Sequence, residues 1–371
     1  MKADNLMYDV AIVGLGPAGS TLARLLDSSL KVAAIDRKRL DGASGGFQKP
    51  CGGLLAPNAQ KALVESGLNL PSSLLVDPQI FAVKTMDLVS GQIRYYQRYY
   101  LNIDRHRFDL WLASLIKPGV KIFDQAECRT IVPNRNAGGY DLTFVKGGRL
   151  WTITARQVIG ADGSSSLVRR AFCPTPIRRY LCLQETFPGH LREPYGCFFD
   201  PRITDCYGWI NNKEGQLILG AALPLEKQSA EKPRERFEAV KEALRPFGYR
   251  FYGAPLGATE AALVSRPASW RQIALGVEGG IFLVGEAAGL VSPSSLEGIS
   301  YALASASLLS RILNRDPAKP QKLYRRAIRP LRWRILMRLL KSPFMFQPSL
   351  RRLVMLSGWL SLSDVSLSGL D

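Results

Sequence analysis

Three glycines in Gly14-Leu15-Gly16-Pro17-Ala18-Gly19 have the spacing that wraps backbone around a pyrophosphate. Asp36 follows about 20 residues on, where an acid accepts hydrogen bonds from an adenosine ribose. In that reading Gly14 makes the tight turn and Gly16 lets phosphates approach a helix N-terminus opened by Pro17 and Ala18; Gly19 allows close helix packing, and Arg37 stands beside the acid. A second reactive stretch is Lys49-Pro50-Cys51-Gly52-Gly53-Leu54. Its thiol lies between a proline and two glycines, so backbone can close on a ligand while the sulfur stays reachable. With an unperturbed pKa near ~8.5 the thiol could act as a proton donor. The alternative is a small residue packed under the cofactor.

Two further motifs, Gly160-Ala161-Asp162-Gly163 and Gly285-Glu286-Ala287-Ala288-Gly289, each follow a short apolar run, and the second continues through Pro293 into Leu296-Glu297-Gly298-Ile299. Other chemistries are poorly supplied. The two histidines, His106 and His190, are far apart, which counts against His-built metal sites and Ser-His or Cys-His hydrolysis; His190 reads as a surface-loop residue. The cysteines at 51, 128, 173, 182, 197 and 206 include no CxxC pair, and the last four are spaced too widely for the usual zinc ligands, so a reducing compartment and no metal are expected. Gly42-Ala43-Ser44-Gly45-Gly46 matches GxSxG, yet the charged Asp36-Arg37-Lys38-Arg39 precedes it where a nucleophile elbow needs a hydrophobic strand.

The elements that must position these motifs are legible from periodicity. Residues 8–13 read as a buried parallel strand, Ala18 to Leu26 as a helix and Val32 to Ile35 as a second strand ending at Asp36, a dinucleotide-binding unit. Asp41 to Gly53 is a loop. Residues 81–101 alternate like strand, and Phe108 to Ile116 carries a helical stripe. Tyr140 to Val145 and Leu150 to Thr154 form a hairpin leading to a strand at Val158-Ile159. Strands dominate from Ile177 to about Val264 around a polar helix at Glu235 to Leu244; a short strand, Ile281 to Val284, and a helix from Gly298 to Leu313 close the body.

The three glycine motifs, in this order, resemble FAD-dependent oxidoreductases built like aromatic hydroxylases. Pro50-Cys51-Gly52-Gly53-Leu54-Leu55-Ala56-Pro57, Phe108-Asp109-Leu110-Trp111, Tyr207-Gly208-Trp209-Ile210 with Lys213, and the run from Ser295 to Leu303 narrow the resemblance to the geranylgeranyl reductase family, over nearly the whole chain. It implies an α/β fold: a Rossmann-type FAD-binding domain (1–80, 102–176, 265–315) interleaved with a mostly antiparallel β-sheet substrate domain (81–101, 177–264) and a helical C-terminal tail (316–371). It places Glu286 on the flavin ribityl chain, the helix start at Glu297, Gly298 and Ile299 toward the flavin O2 edge, and Arg105, Cys128 and Asp162 near FAD. Cys51 becomes the candidate catalytic residue, and Tyr207 and Trp209 line the substrate pocket, although aromatic residues in a sheet are as often core. The implied activity is reduction of C=C bonds in an isoprenoid or lipid-like substrate, with NAD(P)H or a reduced ferredoxin as transient electron donor. A monooxygenase or halogenase on the same scaffold is the rival, although no Trp-x-Trp-x-Ile-Pro halogenase signature is present. Glu286 stands where relatives have Asp, and Asn211-Asn212 where they have Phe-Pro, which makes the substrate floor more polar.

The 371 residues carry 49 Lys and Arg against 31 Asp and Glu, a net charge of +18. From Arg311 to Arg352 there are 13 Lys and Arg and one acid, Asp316. In Tyr324 to Trp359, arginines alternate with Leu331, Ile335, Leu336, Leu339 and Leu340 at helical spacing, giving a basic side beside an apolar one. Two outcomes are expected: peripheral association with an anionic membrane surface, or packing of the apolar side on the body. Nucleic acid is not expected, because the basic residues are interleaved with large apolar ones. No apolar run is long enough to span a bilayer and no leader precedes the first strand, so a cytoplasmic protein, peripheral at the inner membrane face, is expected.

Overall fold

A computed structural model describes residues 2–42, 49–189, 195–225, 232–315 and 319–362. His190 and most of the Gly42 to Gly46 run lie outside the described residues. Two eight-stranded sheets organise the described chain. The first runs β15 (Gly276–Val277), β16 (Ile281–Leu283), β9 (Arg149–Gly160), β1 (Lys2–Val13), β2 (Val32–Ile35), β6 (Lys121–Phe123), with β8 (Gly139–Lys146) and β7 (Ala126–Asn134) branching from β9. Pairing of β16, β9, β1, β2 and β6 is parallel throughout. Val10, Ala11, Ile12 and Val13 are all buried, as a central parallel strand covered on both faces requires.

The hairpin and the separate strand expected at 140–159 are joined differently. β9 is one continuous strand: along one edge Arg149–Ala155 pairs antiparallel with β8 and Val158–Gly160 parallel with β16, while Thr152–Gly160 pairs parallel with β1 along the other. Its change of partner lets one strand serve both the hairpin and the cofactor sheet.

The second sheet runs β14 (Glu260–Ser265), β10 (Arg179–Pro188), β13 (Gln216–Pro224), β12 (Gly208–Lys213), β11 (Tyr195–Phe199), β4 (Ile80–Asp87), β5 (Ile93–Asn102), β3 (Leu54–Leu55). Only the β11–β4 pair is parallel within it. Leu54–Leu55 pairs with β5, so the chain visits this sheet immediately after the Cys51 loop.

Helices α1 (Pro17–Leu25), α2 (Pro57–Glu65), α3 (Arg105–Ser114), α4 (Leu167–Phe172) and α6 (Ile299–Leu313) serve the first sheet and its flank, and α5 (Pro233–Leu244) packs Phe237, Val240 and Leu244 on the second. The tail forms α7 (Pro320–Ala327), α8 (Arg329–Phe346) and α9 (Pro348–Ser357). Leu331 and Ile335, expected on the apolar side of the tail, are buried with Tyr324 and Ile328 in the core of the first sheet. Tyr324 donates its hydroxyl to Leu283 O at 3.1 Å. Farther along, buried Arg351 pairs with buried Asp87 of β4 at 2.8 Å, so the tail bridges both sheets.

Candidate functional site

The first glycine motif closes a tight cradle between β1 and α1. Gly14 has φ +96°, and a Cβ there would stand 2.6 Å from Ala161 O; a Cβ on Gly19 would stand 1.8 Å from Gly14 O. Those glycines are demanded by packing. A Cβ on Gly16, the N-cap of α1, meets nothing within 4 Å, so here it is open space that the glycine keeps, at the helix N-terminus where an anion is stabilised. Asp36 is buried and accepts from the backbone N–H of Leu15 and, at 2.6 Å, of Lys38, so it shapes the turn besides facing it. Arg37 is exposed.

The Asp162 turn lies against the first, since its neighbour Ala161 limits Gly14. Asp162 Oδ2 accepts from Leu167 N at 2.7 Å, whereas Oδ1 is buried with no hydrogen-bond partner among the described residues. Burial pushes the Asp162 carboxyl up. Cys128 is close enough for the Asp162 charge to reinforce burial, and together they push its thiol up to about 12. It is a neutral neighbour of the cradle. An open notch at Gly16 and an orphaned acceptor at Asp162 are what a bound dinucleotide would fill and satisfy.

Cys51 sits at the centre of a second cluster. Its Sγ accepts from Arg105 Nη1 at 3.6 Å and from Gly53 N at 3.4 Å. Arg105 is held by Asp109 at 2.9 Å, one turn on along α3, and Lys38, two residues beyond Asp36, grips the other Asp109 oxygen at 2.7 Å. Against the cost of burial, Arg105 first and Lys38 next pull the Asp109 carboxyl down to about 2. Burial alone would raise the Cys51 thiol, but Arg105, the Gly53 N–H, Lys213 and Lys49 together outweigh it and draw the thiol below its ordinary value. The unperturbed thiol expected from sequence is therefore corrected, because the cations come from segments far apart in the chain.

One face of β12 presents Trp209, Asn211 and Lys213 to this loop by strand alternation. Asn211 donates to Gly52 O at 3.0 Å, Lys213 donates to Ile103 O at 2.8 Å, and Trp209 Nε1 would be 3.8 Å from a Cβ on Gly52. A Cβ on Gly53, φ +69°, would overlap the Lys213 ammonium at 2.1 Å. Trp209 belongs to an apolar cluster with Tyr195, Tyr207, Leu296 and, from the tail, Phe346. Tyr207 does not leave its hydroxyl free: it donates to Ser295 O at 2.7 Å, and burial pushes its phenol well up, so it remains a donor.

The last motif closes the site. Gly285 to Ala288 forms one 3-10 turn ended by Gly289. Glu286 accepts from Lys49 at 2.7 Å and from Ser265 N at 2.8 Å, so its longer side chain ties the Cys51 loop to β14. Gly298 caps α6 and Ile299 begins it, but Glu297 accepts from both Ser300 N and Ser300 Oγ at 2.7 Å, so an acid caps the N-terminus expected to face the flavin. Lys49 and Asp109 stand in motifs quoted from the sequence, but neither they nor Lys38 were given a role there, and Phe346 was not singled out. The i,i+4 spacing of Arg105 and Asp109 was the one available signal.

No family model matches the chain. It is 44% identical over 353 residues to Protein CbrA of Escherichia coli O6:H1, covering 95% of this chain and 93% of the relative. The chain belongs to the CbrA family. This CbrA-family chain also shares its fold with a geranylgeranyl bacteriochlorophyll reductase-like protein (Ta0516) from Thermoplasma acidophilum, TM-score 0.77 at 18% identity, over 98% of this chain and 94% of that one. PqsL of Pseudomonas aeruginosa, described as a probable FAD-dependent monooxygenase, superposes with TM-score 0.67 at 16% identity, over 95% of this chain and all of that one. The fold of this CbrA relative is thus that of flavoprotein oxidoreductases and monooxygenases.

Proposed function

We propose that this chain is an FAD-dependent oxidoreductase that reduces C=C bonds of an isoprenoid or similar apolar substrate. The observation that carries it is the placing of Cys51, whose Sγ is met by Arg105 Nη1 and Gly53 N and whose neighbour Gly52 lies against Trp209 of the aromatic cluster. Gly16 and the α1 N-terminus bind the pyrophosphate, Asp36 the ribose, and Asp162 and Glu286 the remaining polar groups. FAD held there, once reduced by the electron donor, would supply the hydride. Cys51 holds a proton at Sγ and gives it to the neighbouring carbon, while Arg105 and the Gly53 N–H stabilise the thiolate left behind. Trp209, Leu296 and Phe346 exclude water from the reacting carbons. NAD(P)H binding transiently, or a reduced ferredoxin, provides electrons, and the protein works in the cytoplasm at the membrane surface.

Denatured and filtered protein should release FAD, not FMN. Chemically reduced enzyme mixed anaerobically with a polyprenyl substrate should reoxidise and yield product heavier by two hydrogens. One comes from a labelled donor and its neighbour from solvent. The PqsL likeness supports the second reading, a monooxygenase: product gaining one oxygen atom from molecular oxygen, with no anaerobic turnover, moves the assignment there.

A further inference from the structure

Helix α8 carries two apolar stripes. Leu331 and Ile335 face the core, while Trp333, Met337, Leu340 and Phe344 recur at steps of four, three and four residues. At about 3.6 residues per turn those four keep to one narrow line, and they are 39–61% exposed. Beyond them Leu353, Leu356, Trp359 and Leu360 are each more than half exposed. Bare aromatic and aliphatic side chains in such a row mark an interaction surface.

The surroundings choose the partner. Residues 319–362 contain eleven Lys and Arg and no Asp or Glu. Exposed Arg334 and Lys341 line one side of the stripe, about 80–100° around the helix from Trp333. Partial burial of the Lys341 ammonium, with the like charges of Arg98, from β5, and Arg338 adding to it, draws it down. A second copy would bring the same cations against these, and nucleic acid would engage the charges but leave the Trp and Phe side chains wet. An anionic headgroup layer over acyl chains satisfies both.

We infer that the outer stripe of α8, with the end of α9, beds into the interface of an anionic lipid bilayer. No helix among the described residues is long and apolar enough to cross a membrane, so the contact is lateral. Docking would also set Phe346, at the end of α8, and the aromatic cluster it joins close to the lipid. That last consequence rests on the proposed apolar substrate.

The test is sedimentation of the full, flavin-loaded chain with vesicles of phosphatidylcholine alone or with phosphatidylglycerol. The parent should bind the anionic vesicles, more weakly as salt screens charges over ~10 Å at 0.1 M. Trp333→Ser with Leu340→Ser should weaken binding about ten-fold or more while melting and flavin retention stay at parent values, since both side chains are exposed. Val64→Ser with Tyr252→Ser, exposed apolar residues elsewhere, should change nothing. Equal binding of parent and stripe variant, or binding by neither, overturns the inference. So does a lipid-free dimer that the stripe variant abolishes, which assigns the face to a second copy. Anaerobic turnover of a short detergent-soluble prenyl substrate is read separately: its loss in the parent counts against the reductase proposal, and its retention in the stripe variant confines the defect to docking.

Discussion

Replacing Arg351 by Ala should destabilise the protein by about 3–5 kcal/mol, because it leaves a buried carboxylate facing the gap. The side chains of Arg351 and Asp87 are only 5% and 2% exposed and meet at 2.8 Å. The same guanidinium donates to Met345 O and Phe346 O at 3.1 and 3.2 Å and lies 5.0 Å from the centre of the Phe199 ring. Asp87 Oδ1 keeps two backbone donors, Val89 N at 3.0 Å and Ser90 N at 3.1 Å, which sets the cost below that of a wholly orphaned charge. With an unfolding entropy of roughly 2.1 cal/mol/K per residue over 371 residues, the loss corresponds to about 4–6 °C in Tm. Calorimetry reads it, and trypsin cleavage at Arg338 and Lys341 should accelerate as the tail loosens. The double variant Asp87→Asn with Arg351→Met should recover much of the loss, since the stranded charge goes with its partner. A Tm within 1–2 °C of parent for Arg351→Ala, about 1 kcal/mol on the same scale, would refute the reasoning.

Gly16→Ala should lose FAD while its flavin-free form melts with the flavin-free parent, whereas Gly19→Ala, whose Cβ collides with Gly14 O, should lower the stability of the flavin-free form by about 1–3 kcal/mol as well; flavin content and melts of the flavin-free proteins separate cradle from packing. Alkylation of Cys51 by iodoacetamide should have its pH midpoint below that of an ordinary thiol, and Arg105→Gln should move it up; an unmoved midpoint would discard the role given to Arg105. Because the Asp109 carboxyl is lowered from 3.8 to about 2, its contribution to stability is full above pH 4 and is lost as pH falls toward 2. Urea melts of Asp109→Asn should lose that slope.

Sequence reading reached what local pattern encodes. The glycine turns, Val32 to Ile35 and α6 stand where periodicity put them, because the strands are short apolar runs and the turns need glycine. The continuous β9 was not legible, since along one edge its two halves take different partners and only topology says so. The tail's inward stripe could not be told from its outward one: both are apolar at helical spacing, and the core of the first sheet selects Leu331 and Ile335. At the candidate site, Gly53 was legible as a special position, but its reason, the ammonium of Lys213 behind it, comes from a strand some 160 residues later in the chain. The charge around Cys51 is likewise an outcome of folding, assembled from residues 38, 49, 105, 109 and 213.

The order of the parallel sheet has a consequence for biosynthesis. Ile12 of β1 lies beside Ile159 of β9, which lies beside Phe282 of β16, so neighbours in space are widely separated along the chain. A nascent chain that has emerged only as far as residue 160 leaves the Val158–Gly160 edge of β9 bare, because β8 covers only Arg149–Ala155 and β16 is not yet made, and such an edge invites pairing with other chains. The interval between emergence of residue 160 and residue 283 is therefore when the nascent sheet is most open to pairing with other chains. N-terminal fragments ending before β16 should aggregate in proportion to the time they spend unpaired, and slowing translation within that interval should lower the yield of folded protein more than slowing it elsewhere.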